Sequence, residues 1–275
     1  MRHSVQPVAL TIAGSDSGGG AGIQADLKTL AALGVFGTSA ITCVTAQNPR
    51  GVFALRAVQP ALVAGQMEAV FSELRPQAVK TGMLFNRAII AAVVDAWPTR
   101  NAPPLVVDPV MVATSGARLL QADAIRVMKR DLLPLATLIT PNVDEAVVLL
   151  GRPVRQFADL ILAAAELHRR FGCAVLLKGG HLRGEAEARD VFIKGSTQLI
   201  FSAPFVRGVD THGTGCTYAA AITAFLARGI PLTQAVEQAK QHVTQAIAGS
   251  VRVGRHTALN PFWSPRTLAR RRTGR

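Results

Sequence analysis

Short, almost wholly apolar segments recur along this chain, at residues 8–13, 38–44, 78–81, 105–108, 136–140 and 174–178. They are too short for buried helices and several are rich in β-branched residues, so they read as strands. Between them lie stretches whose apolar residues recur at helical spacing: 21–33, 60–74, 87–97, 122–132, 144–150 and 157–171, with 214–227 and 232–248 following. A strand that is apolar throughout must be covered on both faces, and alternation with helices supplies that cover. The expectation is an α/β fold: a mostly parallel central sheet with helices on both faces. A hairpin at 190–193 and 198–202 is the antiparallel exception. No internal repeat or low-complexity linker interrupts the pattern, which reads as one domain over residues 1–261 with a basic, flexible tail at 262–275.

Composition narrows the function classes. Hydrophobic residues make up 49% of the 275 positions and charged ones 17%, which supports a real core and argues against wholesale disorder. No apolar run reaches the roughly 18 residues that span a bilayer. The N-terminus lacks the apolar stretch and cleavage site of a signal peptide. Cys43, Cys173 and Cys216 lie far apart without CxxC spacing, against a disulfide framework or a zinc site. A cytoplasmic protein with no membrane partner is expected. The net charge of +13 is concentrated at one end: residues 252–275 carry seven arginines and no acid, leaving +6 on the rest. Such a tail can hold nucleic acid non-specifically. A solvated chain end is the simpler reading, and no aromatic interleaves with its arginines for stacking on bases.

In a parallel sheet the ligand sits outside the carboxyl ends of the strands. The polar residues at those ends are Gly14-Ser15-Asp16, Gln47-Asn48, Lys80-Thr81-Gly82, Asp108, Asn142 and Lys178. Two glycine-rich segments could cradle phosphate. Gly20-Ala21-Gly22-Ile23-Gln24-Ala25 matches the dinucleotide-binding G-x-G-x-x-A. It starts too far past its strand, though, and the segment 39–51 holds no acid for a ribose. Glycines serving only a tight turn remain an alternative. The second, Gly213-Thr214-Gly215-Cys216, opens an alanine-rich helix, where free N–H groups and the helix dipole attract anions.

Taken together, these segments carry a family resemblance. Residues 10–29 (Leu10-Thr11-Ile12-Ala13-Gly14-Ser15-Asp16 onward), Thr45-Ala46-Gln47-Asn48, Lys80-Thr81-Gly82-Met83-Leu84, Val107-Asp108-Pro109-Val110-Met111, 140–146, Lys178-Gly179-Gly180-His181 and 211–217 occur in the family's order. From about residue 8 to 253 the chain resembles hydroxymethylpyrimidine/phosphomethylpyrimidine kinases, a branch of the ribokinase-like superfamily. The resemblance implies a three-layer sandwich and phosphorylation of 4-amino-5-hydroxymethyl-2-methylpyrimidine, then of its monophosphate, with ATP and Mg²⁺ in thiamine biosynthesis. A pyridoxal or pyridoxine kinase on the same scaffold is the nearest alternative, and a nucleic-acid-associated protein acting through the tail a remote one. A homodimer is expected.

The resemblance also implies roles. Gly213, Thr214, Gly215 and Cys216 would meet the transferring phosphoryl group. Sugar kinases carry an Asp base where this chain has Cys216, whose thiol a helix N-terminus should lower. The alternative for Cys216 is a small packed residue. Lys178 would reach the ATP phosphates or else sit as a surface lysine, and Asn142, His181 and Thr211 would join it at the nucleotide. Asp108 and Glu145 would place Mg²⁺. The alternatives are that Asp108 caps its strand loop and that Asn142 with Glu145 forms a helix capping box. Asp26 and Gln47 would hydrogen-bond the ring, with Gly14, Met83 and Val110 giving close approach and apolar walls. Asp26 also fits a helix-surface acid, and Gln47 fits turn chemistry beside Asn48-Pro49.

Overall fold

The computed structural model describes residues 5–111, 120–180, 182 and 186–263. Its frame is a nine-stranded sheet of order β3-β2-β1-β4-β5-β6-β7-β8-β9. These strands are β1 (Val8–Asp16), β2 (Phe36–Asn48), β3 (Gly51–Ala57), β4 (Ala78–Thr81), β5 (Leu105–Val107), β6 (Leu138–Ile139), β7 (Ala174–Lys178), β8 (Glu187–Lys194) and β9 (Thr197–Pro204). From β2 through β7 neighbours pair parallel. The hairpin strands at both edges pair antiparallel.

Successive side chains of a strand point to opposite faces, and that alternation separates two cores. Leu105 and Val107 pack in one core with Val63 and Met67 of α2 (Pro60–Glu73), Ile89 and Val93 of α3 (Arg87–Asp95), and Leu160 and Leu167 of α6 (Phe157–Phe171). Val106, between them, packs in the other with Ile222 of α7 (Thr214–Ala227) and Val236 of α8 (Leu232–Ala248). The layers are therefore helix, sheet, helix, as the apolar runs imply. Because the parallel strands share a direction, their carboxyl ends open on one edge of the sheet.

Some elements differ from the sequence expectation. β3 was not anticipated; all seven of its residues are exposed or half-buried, so no buried apolar stripe marks it. Helical spacing over 122–132 resolves into α4 (Ala122–Val127), a π turn (Met128–Leu132) and a 3₁₀ turn (Leu133–Leu135). Pro134 has no N–H to donate back into the preceding turn, so an α-helix does not run on. A small hairpin of β10 (Val251–Val253) and β11 (His256–Ala258) also went unanticipated.

Candidate active site

At the end of β1 the register against β2 shifts between Ala13 and Ser15. The shift falls at Gly14, where a side chain has no room: an added Cβ would lie 2.7 Å from Cys43 Sγ and 2.8 Å from Met83 Cε. Gly22, with φ +56°, opens α1 (Gly22–Ala32) against the Gly14 carbonyl. Asp16 then gathers the glycine loop. Its carboxylate accepts N–H bonds from Gly18 (2.8 Å), Gly20 (3.1 Å) and Ala21 (2.8 Å). The loop's donors are thus turned onto a side chain of the protein itself. This corrects the dinucleotide-site alternative and favours the tight turn.

The second loop docks on the first. Gly213, with φ +83°, lies so close to the Gly20 carbonyl that no Cβ fits. Gly213 is the N-cap of α7, and no side chain caps that helix. The N–H groups of Gly215 and Cys216 in its first turn have no intrahelical acceptor. Beside them stand Lys178, whose Nζ is 3.3 Å from where a Gly215 Cβ would be, and Asp108, with Oδ2 at 3.7 Å. Lys178 donates to Asp108 Oδ1 at 3.0 Å, and Thr140 Oγ1 donates to the same oxygen at 3.1 Å. Burial alone would lower the Lys178 ammonium. The carboxylates of Asp108 and Glu145 outweigh it and hold the lysine above its ordinary value. The result is a fixed cation beside an open helix N-terminus, a site for a phosphoryl group.

Asn142 and Glu145 form a complete capping box on α5 (Val143–Leu150), with both bonds at 2.8 Å. The capping alternative therefore holds, and it does not consume Glu145: the carboxylate still lines the cavity beside Asp108. Burial pushes the Glu145 carboxyl up to about 7, against the pull of Lys178. Among the described residues no group of three or more His, Cys, Asp or Glu could cage a metal alone. Two carboxylates near a phosphate site suit Mg²⁺, which keeps several waters and takes its remaining ligands from phosphate. The donor set fits that ion.

Beneath the cavity lies a second lysine. Lys80 Nζ donates to both Asp26 oxygens at 2.8 Å, and Thr11 Oγ1 donates to Asp26 at 2.6 Å. Asp26 is 0% exposed. The helix-surface alternative is corrected, and the ring contact expected of Asp26 is displaced: its carboxylate is taken up by Lys80, which itself lines the cavity. Burial alone would lower Lys80; Asp26 more than reverses this and keeps it charged. The Cys216 thiol also departs from expectation. Burial pushes it up to about 11, and Lys80 offsets that only in part. The lowered thiol expected from the helix start is not found, because enclosure costs a thiolate more than its neighbours return.

The cavity measures about 340 Å³ and brings together Gly14, Gln47, Met83, Val110, Asp108, Asn142, Glu145, Lys178, Thr211 and the Gly213–Cys216 segment. Asp26 lies beneath it, and His181 falls outside the described residues. Sequence reasoning missed its far end, where Val206, Val243 and Ile247 give apolar walls beside the buried Lys240–Asp190 pair at 2.7 Å. It also assigned nothing to Lys80 or His212. Both stood in quoted motifs, and Lys80, charged inside an otherwise apolar strand, was the available signal.

A three-layer α/β sandwich with an anion-binding helix start and a fixed lysine at the strand ends defines a ribokinase-like phosphotransferase. Comparison with known proteins makes this specific. Residues 16–260 match the family described as phosphomethylpyrimidine kinase. A hydroxymethylpyrimidine/phosphomethylpyrimidine kinase of Rhizobium meliloti (strain 1021) is 50% identical over 90% of this chain and 92% of its own. The crystal structure of phosphomethylpyrimidine kinase from Clostridium difficile 630 superposes with a TM-score of 0.79 at 41% identity, over 88% of this chain and all of that one. A Bacillus subtilis pyridoxal kinase in complex with ADP gives 0.85 at 34% identity, over 93% of this chain and 97% of its own. The chain belongs to the phosphomethylpyrimidine kinase family.

Proposed function

We propose that this cavity transfers the γ-phosphoryl group of ATP to the hydroxymethyl oxygen of 4-amino-5-hydroxymethyl-2-methylpyrimidine, and then to the resulting monophosphate, in thiamine biosynthesis. The observation that carries the reading is the uncapped start of α7 with Lys178 and Asp108 beside Gly215, facing a heterocycle-sized space that ends at Gln47. Phosphoryl transfer has a loose transition state, so positioning and charge do most of the work. The N–H groups of Gly215 and Cys216 hold the equatorial oxygens as charge spreads onto them, and Lys178 neutralises it. Mg²⁺, held at Asp108 and Glu145, supplies the remaining positive charge when bound. Asn142 and Thr211 line the nucleotide side; Gly14, Met83 and Val110 wall the ring; Gln47 offers it hydrogen bonds. Asp26 fixes Lys80 beneath the site. With its thiol protonated at neutral pH, Cys216 contributes its N–H rather than a preformed base.

Structures named pyridoxal kinases share the scaffold, so the fold alone does not choose the substrate. The relatives from Rhizobium meliloti and Synechococcus elongatus at 50% and 48% identity, both named for the pyrimidine, favour it. The same proposal includes one kinase domain over residues 1–261, a cytoplasmic location, which three free thiols support, and a homodimer. The exposed Phe36, Val44 and Phe53 on the β2–β3 edge support the dimer, which sedimentation velocity tests. Among the described residues no helix is long and apolar enough to cross a membrane. Nucleic acid enters only as a non-specific ligand of the tail, whose residues 264–275 fall outside the described ones. The function is tested by coupled ADP release with the pyrimidine alcohol, its monophosphate and pyridoxal in parallel. Turnover of both pyrimidines is expected; turnover of pyridoxal alone sinks the reading.

A further inference from the structure

His212 stands between two groups that ask opposite things of one nitrogen. Its Nε2 lies 3.5 Å from Asp16 Oδ2 and 3.5 Å from Gln47 Nε2. A carboxylate accepts, so Asp16 calls for an N–H at that position. An amide nitrogen donates, so Gln47 in this orientation calls for a lone pair. One imidazole nitrogen supplies only one of these at a time. The far end of the amide is strained in the same way. Thr45 Oγ1 is 3.3 Å from Gln47 Oε1, yet its single proton is already given to the Ser15 carbonyl at 2.8 Å. Turning the Gln47 amide over resolves both conflicts when Nε2 carries a proton: His212 then donates to Gln47 Oε1, and Gln47 Nε2 donates to Thr45 Oγ1. When Nε2 is bare, the orientation seen here lets it accept from Gln47 Nε2 and leaves Gln47 Oε1, which the Thr45 proton does not serve, open to a donor from a ligand. Gln47 lines the cavity, so the two networks present different groups to whatever binds there.

We propose that His212 is a positioning residue whose proton sets the Gln47 amide, and so decides whether the cavity offers a heterocycle a donor or an acceptor. This rests on the reading that Gln47 meets the ring. An exocyclic amino group needs an acceptor. Gln47 Oε1 is available to it when the amide nitrogen faces His212, whose Nε2 must then be bare. Binding an aminopyrimidine therefore expels the proton from an imidazolium at His212 to solvent, and by linkage a protonated His212 weakens that ligand. Other charges around the imidazole favour its protonated form before the ligand arrives. Asp16 approaches from the end of β1, and Asp210 precedes His212, its Oδ1 accepting the His212 backbone N–H at 2.9 Å. Lys28 of α1 is bonded to the Gly19 carbonyl of the glycine loop. Contact with Asp16 holds the imidazole above its usual value against the effect of burial.

The test is calorimetric binding of 4-amino-5-hydroxymethyl-2-methylpyrimidine to the full chain without ATP, at about pH 6.5, the ordinary midpoint of an imidazole, in buffers of different ionisation enthalpy. Release of roughly half a proton or more per ligand is expected. His212→Gln, which cannot titrate, should bind without proton release. An NMR titration of the His212 ring in the native protein, with and without saturating pyrimidine, gives an independent reading that no folding defect can confuse. The ring's titration midpoint should fall on binding. Binding without proton release, equal release from His212→Gln, or a midpoint that stays or rises overturns the inference alone. No binding of the pyrimidine at all overturns the functional reading and takes the inference with it.

Discussion

Of the three lysine–aspartate pairs along this cavity, the two nearest the start of α7 are built for different purposes. Lys80–Asp26 is sealed: the side chains are 1% and 0% exposed, both carboxylate oxygens hold the ammonium, and Thr11 adds a further bond. Lys178–Asp108 is looser and faces the ligand space. Its side chains are 14% and 4% exposed, and the contacts from Lys178 and Thr140 both fall on one oxygen of Asp108. A charge whose partner satisfies it completely is part of the architecture. One held from a single side by a partner that is itself shared can redirect its donors to an incoming anion. The contrast teaches that burial of a charged pair near a site does not itself mark it as catalytic; the unspent hydrogen-bonding capacity does.

The sharpest way to break the contrast is to remove the open cation. Lys178→Met should lower kcat/KM by about 10³-fold, the scale seen when one transition-state donor is lost. Its thermal unfolding should move little, because Asp108 keeps its bond from Thr140 and faces the ligand cavity. Loss of fold with retained specific activity would place Lys178 in the architecture instead. Lys80→Met should do the reverse, costing about 3–5 kcal/mol in urea unfolding by leaving Asp26 buried and unpaired. Pairing it with Asp26→Leu should restore most of that loss. If the double variant regains stability without turnover, Lys80 also acts in the chemistry and the division between the pairs fails.

The same contrast explains what was legible from sequence. Strand and helix alternation gave the layers because apolar runs and helical spacing depend on local sequence alone. Gly213, Gly215, Lys178 and the Asn142–Glu145 box could be placed at the cavity from sequence because each sits at an element boundary, where local sequence signals mark the position. Asp26 was placed in the right helix but given the wrong neighbour. Its spacing could not reveal Lys80, which lies 54 residues away and meets it only once β1 and β4 pair. Lys80 itself was passed over for the same reason. The apolar far wall at Val206, Val243 and Ile247 assembles from two distant segments and carries no motif. Cys216 fails differently: the helix start was read correctly, but desolvation is set by the packed surroundings, which a sequence does not show.

Cys216 gives a smaller effect, on which the lysine and the aspartates of these pairs pull in opposite directions. Lys80 pulls its thiol down, while Asp26 and Asp108 push it up alongside burial, leaving it at about 11. Cys216→Ala should therefore lower kcat by less than about tenfold, since the N–H remains and a loose transition state asks little of a base. Alkylation of Cys216 by iodoacetamide should be slow at neutral pH and still be accelerating near pH 10. A thiol that reaches its full rate by pH 7 would restore the base role.

The smallest expected effect comes from a histidine–aspartate pair, more open than either. His212 and Asp16 lie 3.5 Å apart, with side chains 25% and 5% exposed. Burial alone would raise the Asp16 carboxyl, but His212 and the N–H groups of Ala21 and Gly18 hold it below the usual range. Its contribution to stability is therefore present above the ordinary carboxylate value near 3.8 and disappears as pH falls through the lowered one. His212 is raised, so its contribution is complete below 6.5 and disappears as pH climbs through the raised value. The pair should stabilise the fold between those limits, by no more than about 1 kcal/mol for a contact this open. His212→Gln should lower the melting temperature most near pH 5–6, inside that window, and converge with the native protein at pH 9. An equal deficit at both pH values would show a packing loss and remove His212 from the set of charge pairs, whereas convergence at pH 9 keeps it as the titratable member that the two buried lysines are not.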